Sequence, residues 1–248
     1  MSAHELALTE LVAPPALGRV FAQEMRGGLA DSSPGGRVRL DALARWAQDV
    51  AYADVEDAGL ASAAAWVVRK MRMRVARFPR FGEHVVARTF CSGLGRMWAE
   101  RRTTLTRAGA ADADVETVAL WVHLDPQSLR PTPLSDTELN IYGPSAGPRT
   151  VRARLRHPSP TPDAYRRPWS FRACELDLAG HVNNAAYWQP LEEELLSGPE
   201  PTRIDAEIEF RTPAQPGGKT IASSGPMRWL ADAGGELHAS LAVVERNP

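Results

Sequence analysis

Cysteine is nearly missing from this chain of 248 residues: Cys91 and Cys174 are the only two, far apart and outside any CxxC pattern. That excludes a disulfide framework and a thiolate zinc site, and it fits a reducing compartment. An excess of one charge is missing too, because 29 Lys and Arg face 30 Asp and Glu and leave a formal net charge of -1. Without a global basic field, nucleic acid is not an expected partner. No run reaches the roughly 20 apolar residues of a membrane span. The first residues, MSAHELALTE, lack a basic segment followed by an apolar one, so a cytoplasmic protein is expected. His4, His84, His123, His157 and His238 stand in no HxH or HExxH spacing, and no phosphate-cradling loop occurs. Neither a metal nor a cofactor is therefore expected.

What is present is enough apolar material, 44% of residues, to build real cores. Residues 40 to 60 carry Leu40, Leu43, Ala44, Ala47, Val50, Ala51 and Val55 at helical spacing, with Gly59 as the stop. Strands are expected at Ala65–Arg77, Glu83–Ser92, Met97–Arg107 and Val115–Leu124, parted by turn-forming stretches. In the first, Lys70, Arg72 and Arg74 alternate with Met71, Met73 and Val75, which predicts one wet, basic face. Residues 143 to 168 are rich in Pro and Arg, and their prolines are expected to break any regular element. Beyond them the pattern predicts a strand at Trp169–Cys174, a helix at Val182–Leu196 with Pro190 inside it, and strands at Ile204–Arg211, Thr220–Trp229 and Leu237–Val244. The second half thus repeats the first, with Tyr52 and Tyr187 in register on the two helices, as a domain duplication would produce. The expected division is a domain over 1–145, a linker over 146–166 and a second domain over 167–248.

The run Glu175-Leu176-Asp177-Leu178-Ala179-Gly180-His181-Val182-Asn183-Asn184-Ala185-Ala186-Tyr187 resembles the Asp-x-Asn-x-His-Val-Asn-Asn-x-x-Tyr signature of the acyl-acyl carrier protein thioesterases. Trp66-Val67-Val68-Arg69-Lys70-Met71 and Arg77-Phe78-Pro79-Arg80-Phe81-Gly82-Glu83 resemble that family's Trp-Val-Val-x-Arg-Met and Arg-Tyr-Pro-x-Trp-Gly-Asp. Similar strands lie at Met97–Arg102 and Leu120–Leu124, so the likeness spans Val20 to Arg246. It implies an α+β fold of two tandem hot-dog domains, each a curled antiparallel sheet wrapped around a central helix. It further implies a thioester hydrolase that releases a fatty or polyketide acid from acyl carrier protein. A hot-dog dehydratase or isomerase and a non-catalytic acyl-binding protein are the alternatives.

The chemistry of the run can be read on its own terms. A thioester is cleaved when water or a carboxylate attacks a carbonyl whose oxygen is held by fixed donors, and a helix N-terminus offers free N–H groups. Asp177 is the expected base or nucleophile, with His181 positioning water or substrate and Asn183 beside it. Gly180 is expected at the helix start, where the lack of a side chain would let the ligand approach its N–H. The sequence departs from the family at two places. Ala179 stands where the signature has Asn, and the family's later acidic or cysteine residue falls on Pro213 or Ala214. Glu193, Glu209 and Arg211 are the candidate substitutes.

Other signals are weaker. Gly143-Pro144-Ser145-Ala146-Gly147 matches GxSxG, but that motif has meaning only between a strand and a helix. The tryptophans at 46, 66, 98, 121, 169, 188 and 229 are expected in the core. Lys70, Arg72, Arg74 and the linker residues Arg149, Arg152, Arg154, Arg156, Arg166 and Arg167 are a candidate dock for an acidic carrier protein. The expected assembly is a monomer with pseudo-dimeric domains or a homodimer.

Overall fold

The structure, a computed structural model, describes residues 8–247. His4 lies outside the described residues.

The first half forms the helix α1 (Leu40–Asp57) and the strands β1 (Phe21–Arg26), β2 (Ala65–Val75), β3 (His84–Leu94), β4 (Trp98–Arg107) and β5 (Val115–Leu124). A second helix, α2 (Asp136–Ala146), follows. The second half supplies β6 (Tyr165–Phe171), the short helix α3 (Gln189–Leu196), and β7 (Arg203–Phe210), β8 (Gly217–Ser224), β9 (Met227–Ala231) and β10 (Leu237–Asn247). All ten strands join one antiparallel sheet in the order β1-β3-β4-β5-β2-β7-β10-β9-β8-β6. This is the α+β architecture of two hot-dog units sharing a sheet, and the seam between them is the β2–β7 pair.

The core follows the period of each element. Leu40, Leu43, Ala44 and Val50 of α1 are buried, and they meet Met71, Met73, Ile204, Ile208, Tyr187, Trp188 and Leu191 in one continuous cluster. Gly59, at φ +72°, ends α1 in the left-handed conformation that glycine adopts at least cost. No side chain of its own caps α1. Glu192 of α3 does so from the other half, accepting the Leu40 N–H at 3.0 Å.

Several expectations need correction. The polar face of β2 is only partly wet, with Arg74 exposed and Lys70 and Arg72 half-buried. Lys70, Arg72 and Arg74 stand opposite Glu209, Glu207 and Asp205 across the seam, and Arg72 grips Asp205 through Nε–Oδ1 at 2.9 Å and Nη2–Oδ2 at 2.6 Å. The acidic face of β7 is buried in turn, because the proline-rich segment lies over it. Arg156 and His157 donate their N–H groups to Glu209 at 2.5 and 3.0 Å. Thr9 donates its N–H to Glu207 at 2.8 Å.

The prolines of residues 143–168 do not exclude regular structure at either end. Pro144 sits in the last turn of α2, and Pro168 lies in the edge strand β6, where its missing N–H leaves no gap in a ladder. The helix expected at Val182–Leu196 is divided into a 3-10 turn over Asn184–Trp188 and α3. Pro190 therefore falls in the first turn of α3, where no intrahelical N–H is needed, and it bends nothing. The strand expected at Thr220–Trp229 is a hairpin, folded at Gly225 (φ +53°) and Pro226 into β8 and β9. The strand expected at Trp169–Cys174 instead starts at Tyr165, and β1 carried no alternation strong enough to announce it.

Candidate active site

The loop Leu176–Val182 is a tight hairpin. Leu176 bridges Val182, the Asp177 N–H donates to the His181 carbonyl at 2.9 Å, and the Gly180 N–H donates to the Asp177 carbonyl at 3.0 Å. The Asp177 side chain is held by two donors, the Ala179 N–H on Oδ1 at 2.9 Å and the Asn183 amide on Oδ2 at 3.4 Å. Asn183, not Asp177, caps the following 3-10 turn, its Oδ1 accepting the Ala185 N–H at 2.8 Å. Tyr187 anchors the turn from below. Its buried hydroxyl accepts the Ala214 N–H at 2.8 Å, and burial pushes that hydroxyl up to about 12.

This loop forms one wall of a cavity of about 940 Å³. Asp177, Asn183 and Asn184 face it from the second half, and Gln48, Asp49 and Arg101 from the first. Residues of α1 from Asp41 to Val55 line it, which is about 21 Å of helix at 1.5 Å per residue. Ala51, Val55, Trp66, Trp121 and Cys91 give it an apolar interior, while the exposed Tyr52, Leu176 and Leu178 stand at its rim. Trp66 and Trp121 thus serve the cavity wall rather than a closed core. Burial pushes the Cys91 thiol up to about 11, so no thiolate nucleophile arises there.

The expected site residues separate into two groups. Asp177 and Asn183 reach the cavity; Gly180 and His181 are not on its wall. The Gly180 N–H is spent within the hairpin, and a Cβ at Gly180 would meet nothing within 4 Å. Its requirement is the φ of +73°, not close approach by a ligand. The helix starts later than expected because Asn183 takes the cap. Glu193 lies on the exposed side of α3 and not on the cavity wall. Glu209 is fully buried at the seam, and Arg211 reaches the His157 carbonyl at 3.2 Å. None of the three lies on the cavity wall.

His123, His157, His238 and the GxSxG serine have structural partners, while His84 is exposed. His123 pairs with the buried Glu138 of α2 at 3.1 Å, and the Ser145 hydroxyl donates to the Tyr142 carbonyl at 2.9 Å within that helix. His157, Glu207 and Glu209 place ligand-type atoms within 4.8 Å of one another. Both Glu209 oxygens are already taken by backbone N–H groups, and the His157 Nδ1 lies 3.0 Å from the Ser240 hydroxyl. Burial depresses the His157 pKa and favours the neutral ring, so this group acts as a clasp for the overlying segment.

The architecture superimposes on an acyl-ACP thioesterase from Bacteroides thetaiotaomicron with a TM-score of 0.74 at 14% identity, covering 90% of this chain and 96% of that one. It superimposes on the 12:0-ACP thioesterase from Umbellularia californica with a TM-score of 0.73 at 17% identity, covering 92% and 97%. Two hot-dog units on one sheet, with a carboxylate-bearing hairpin opening on a chamber along the partner helix, define the double hot-dog class of fold. An uncharacterized protein of Mycobacterium tuberculosis is 27% identical over 209 residues, 84% of this chain and 83% of its own. Residues 18–142, half of the chain, match the family model of the acyl-ACP thioesterase N-terminal domain. The chain belongs to the acyl-ACP thioesterase family.

Proposed function

We propose that this protein hydrolyses the thioester of a fatty or polyketide acyl chain delivered by acyl carrier protein and releases the free acid. The observation that carries the reading is the opening of the Asp177 hairpin onto an elongated, largely apolar chamber. The chamber takes the acyl chain, and Asp177 supplies a carboxylate at its reacting end. The side-chain amides of Gln48 and Asn184 face the same space and make no hydrogen bond with any described residue. They are the donors for a carbonyl oxygen that gains charge, a role Asn and Gln side chains fill at such sites. A dehydratase would need a histidine in the chamber, and His181 does not line it.

Delivery by a carrier protein is supported by Arg152, Arg154 and Arg156. All three are exposed on the segment between α2 and β6, and no ion pair engages them. An acidic carrier would be steered there.

The test is hydrolysis of acyl-carrier substrates by the native protein and by Asp177→Asn, read as free acid by mass spectrometry. Loss of the carboxylate should lower kcat by at least about two decades, the usual scale for removing a positioned acid or base. Unaltered turnover in the variant removes Asp177 from the chemistry.

A further inference from the structure

Five acidic residues stand on the wall of the chamber: Asp41, Asp49, Glu100, Glu175 and Asp177. Four are committed. Asp41 holds Arg39 at 2.9 Å, Glu100 accepts the Ser92 hydroxyl at 2.8 Å and pairs with Arg149, and Glu175 accepts the Arg172 N–H at 2.5 Å. Asp177 holds the Ala179 N–H and the Asn183 amide. Asp49 makes no hydrogen bond or ion pair with any described residue, although it lies next to Gln48 and faces the same space as Asp177.

We propose that Asp49 of α1 is the second carboxylate of the hydrolytic centre and takes the proton from the attacking water. The assignment rests on the thioesterase reading above. It supplies the acid that Pro213 and Ala214 cannot, from the opposite half of the chain. Asp177, with both oxygens already held by donors, fixes the water; Asp49, with none, is free to accept its proton. The water oxygen bonds to the acyl carbon, its proton passes to Asp49, and the carbon–sulfur bond breaks. The departing thiolate recovers that proton from Asp49, so thioester and water give acid and thiol, and both carboxylates return unchanged.

The surroundings suit a base. Although open to the water of the chamber, Asp49 is flanked by enough protein that desolvation raises its carboxyl pKa; Arg45, one turn back on α1, opposes this, and Asp31 reinforces it. Arg45 is itself paired with Asp31. The other charged groups facing the chamber are Asp41 of α1, Glu100 and Arg101 of β4, Glu175 just before the hairpin and Asp177 within it. A base works best when its pKa lies near the working pH, so an upward shift is in the useful direction.

The experiment compares kcat, KM and their pH profiles for the native protein, Asp49→Asn and Asp49→Glu on one acyl-carrier substrate. Thermal unfolding confirms that the variants fold. The native kcat should fall on the acid side as Asp49 takes up its proton. Asp49→Asn should lower kcat about 100-fold with KM within about threefold, and it should abolish that acid limb. Asp49→Glu should keep the limb and turn over at least about tenfold faster than Asp49→Asn. Turnover by Asp49→Asn within about threefold of the native protein, or an unchanged acid limb in it, overturns the assignment while leaving the thioesterase reading standing. A native protein that cleaves no acyl thioester overturns both.

Discussion

Arg37 and Glu192 form a buried ion pair between the two halves of the chain, Nη2 to Oε1 at 2.6 Å, with only 3% and 4% of their side chains exposed. The second Glu192 oxygen accepts the Leu40 N–H at the start of α1. One carboxylate of the second half therefore neutralises a guanidinium and caps the long helix of the first. The chamber depends on that helix keeping its place, since α1 lines it from Asp41 to Val55.

Removing one partner of a buried pair commonly costs about 3–5 kcal/mol. Glu192→Ala takes away this partner and the Leu40 N–H acceptor together and leaves Arg37 with Glu200, whose Oε2 lies 2.8 Å from Nε. Glu192→Ala should therefore lower stability by that amount in urea unfolding followed by circular dichroism. Arg37→Met combined with Glu192→Leu should recover part of the loss, because apolar replacement of a whole buried pair is often neutral, while the Leu40 N–H stays without its acceptor and Glu200 without Arg37. An equal loss in single and double variants would mean that the lost Leu40 cap and the packing around α1, not the ion pair, are the cause.

Arg152, Arg154 and Arg156 are expected to act on carrier recognition alone. Changing all three to Ser should raise KM for acyl-carrier substrates and weaken the dependence on salt, since exposed charges are screened over about 10 Å at 0.1 M. Coenzyme A esters should be turned over as before. An equal rise in KM for both substrates would take these residues out of carrier docking.

The two cysteines should differ sharply toward a maleimide at neutral pH. Cys174 is exposed on the chamber wall, whereas Cys91 is buried with its thiol pushed up to about 11, and only the thiolate reacts. Peptide mapping should find the label on Cys174, and a saturating fatty acid should slow its attachment. Label on Cys91 in the folded protein would show that the chamber opens more widely than its walls allow.

How far these features are legible in the sequence depends on what each pattern encodes. The stripe Leu40, Leu43, Ala44, Val50 places α1 because a helix must turn one face to the sheet, and Val115–Leu124 matches β5 at both ends. Alternation in Asp205, Glu207 and Glu209 identifies β7 and groups these residues on one face. It carries no information about what lies over that face, which the structure buries. The hairpin before the second helix was displaced for a similar reason: Asp177 and Asn183 are both good caps, and only the Asn183 side chain's bond to Ala185 decides between them. Asp49 went unnoticed as a site residue because a charged position on the polar side of an amphipathic helix normally faces solvent. Here the exposed Asp49 also borders the chamber that the Asp177 hairpin opens on.

The β2–β7 seam bears on how the chain reaches its folded state. In either half alone, β2 or β7 would be a terminal strand with unpaired N–H and C=O groups, the kind of edge that recruits neighbours and aggregates. Covalent connection between the halves keeps each edge at a high effective concentration of its intended mate, on the order of millimolar for a short tether. Cutting the chain between Gly147 and Ala164, where neither helix nor strand is present, would leave every strand intact. It would also make pairing of the two edges concentration-dependent, turning an internal contact into a dimerisation equilibrium that competes with self-association of each fragment.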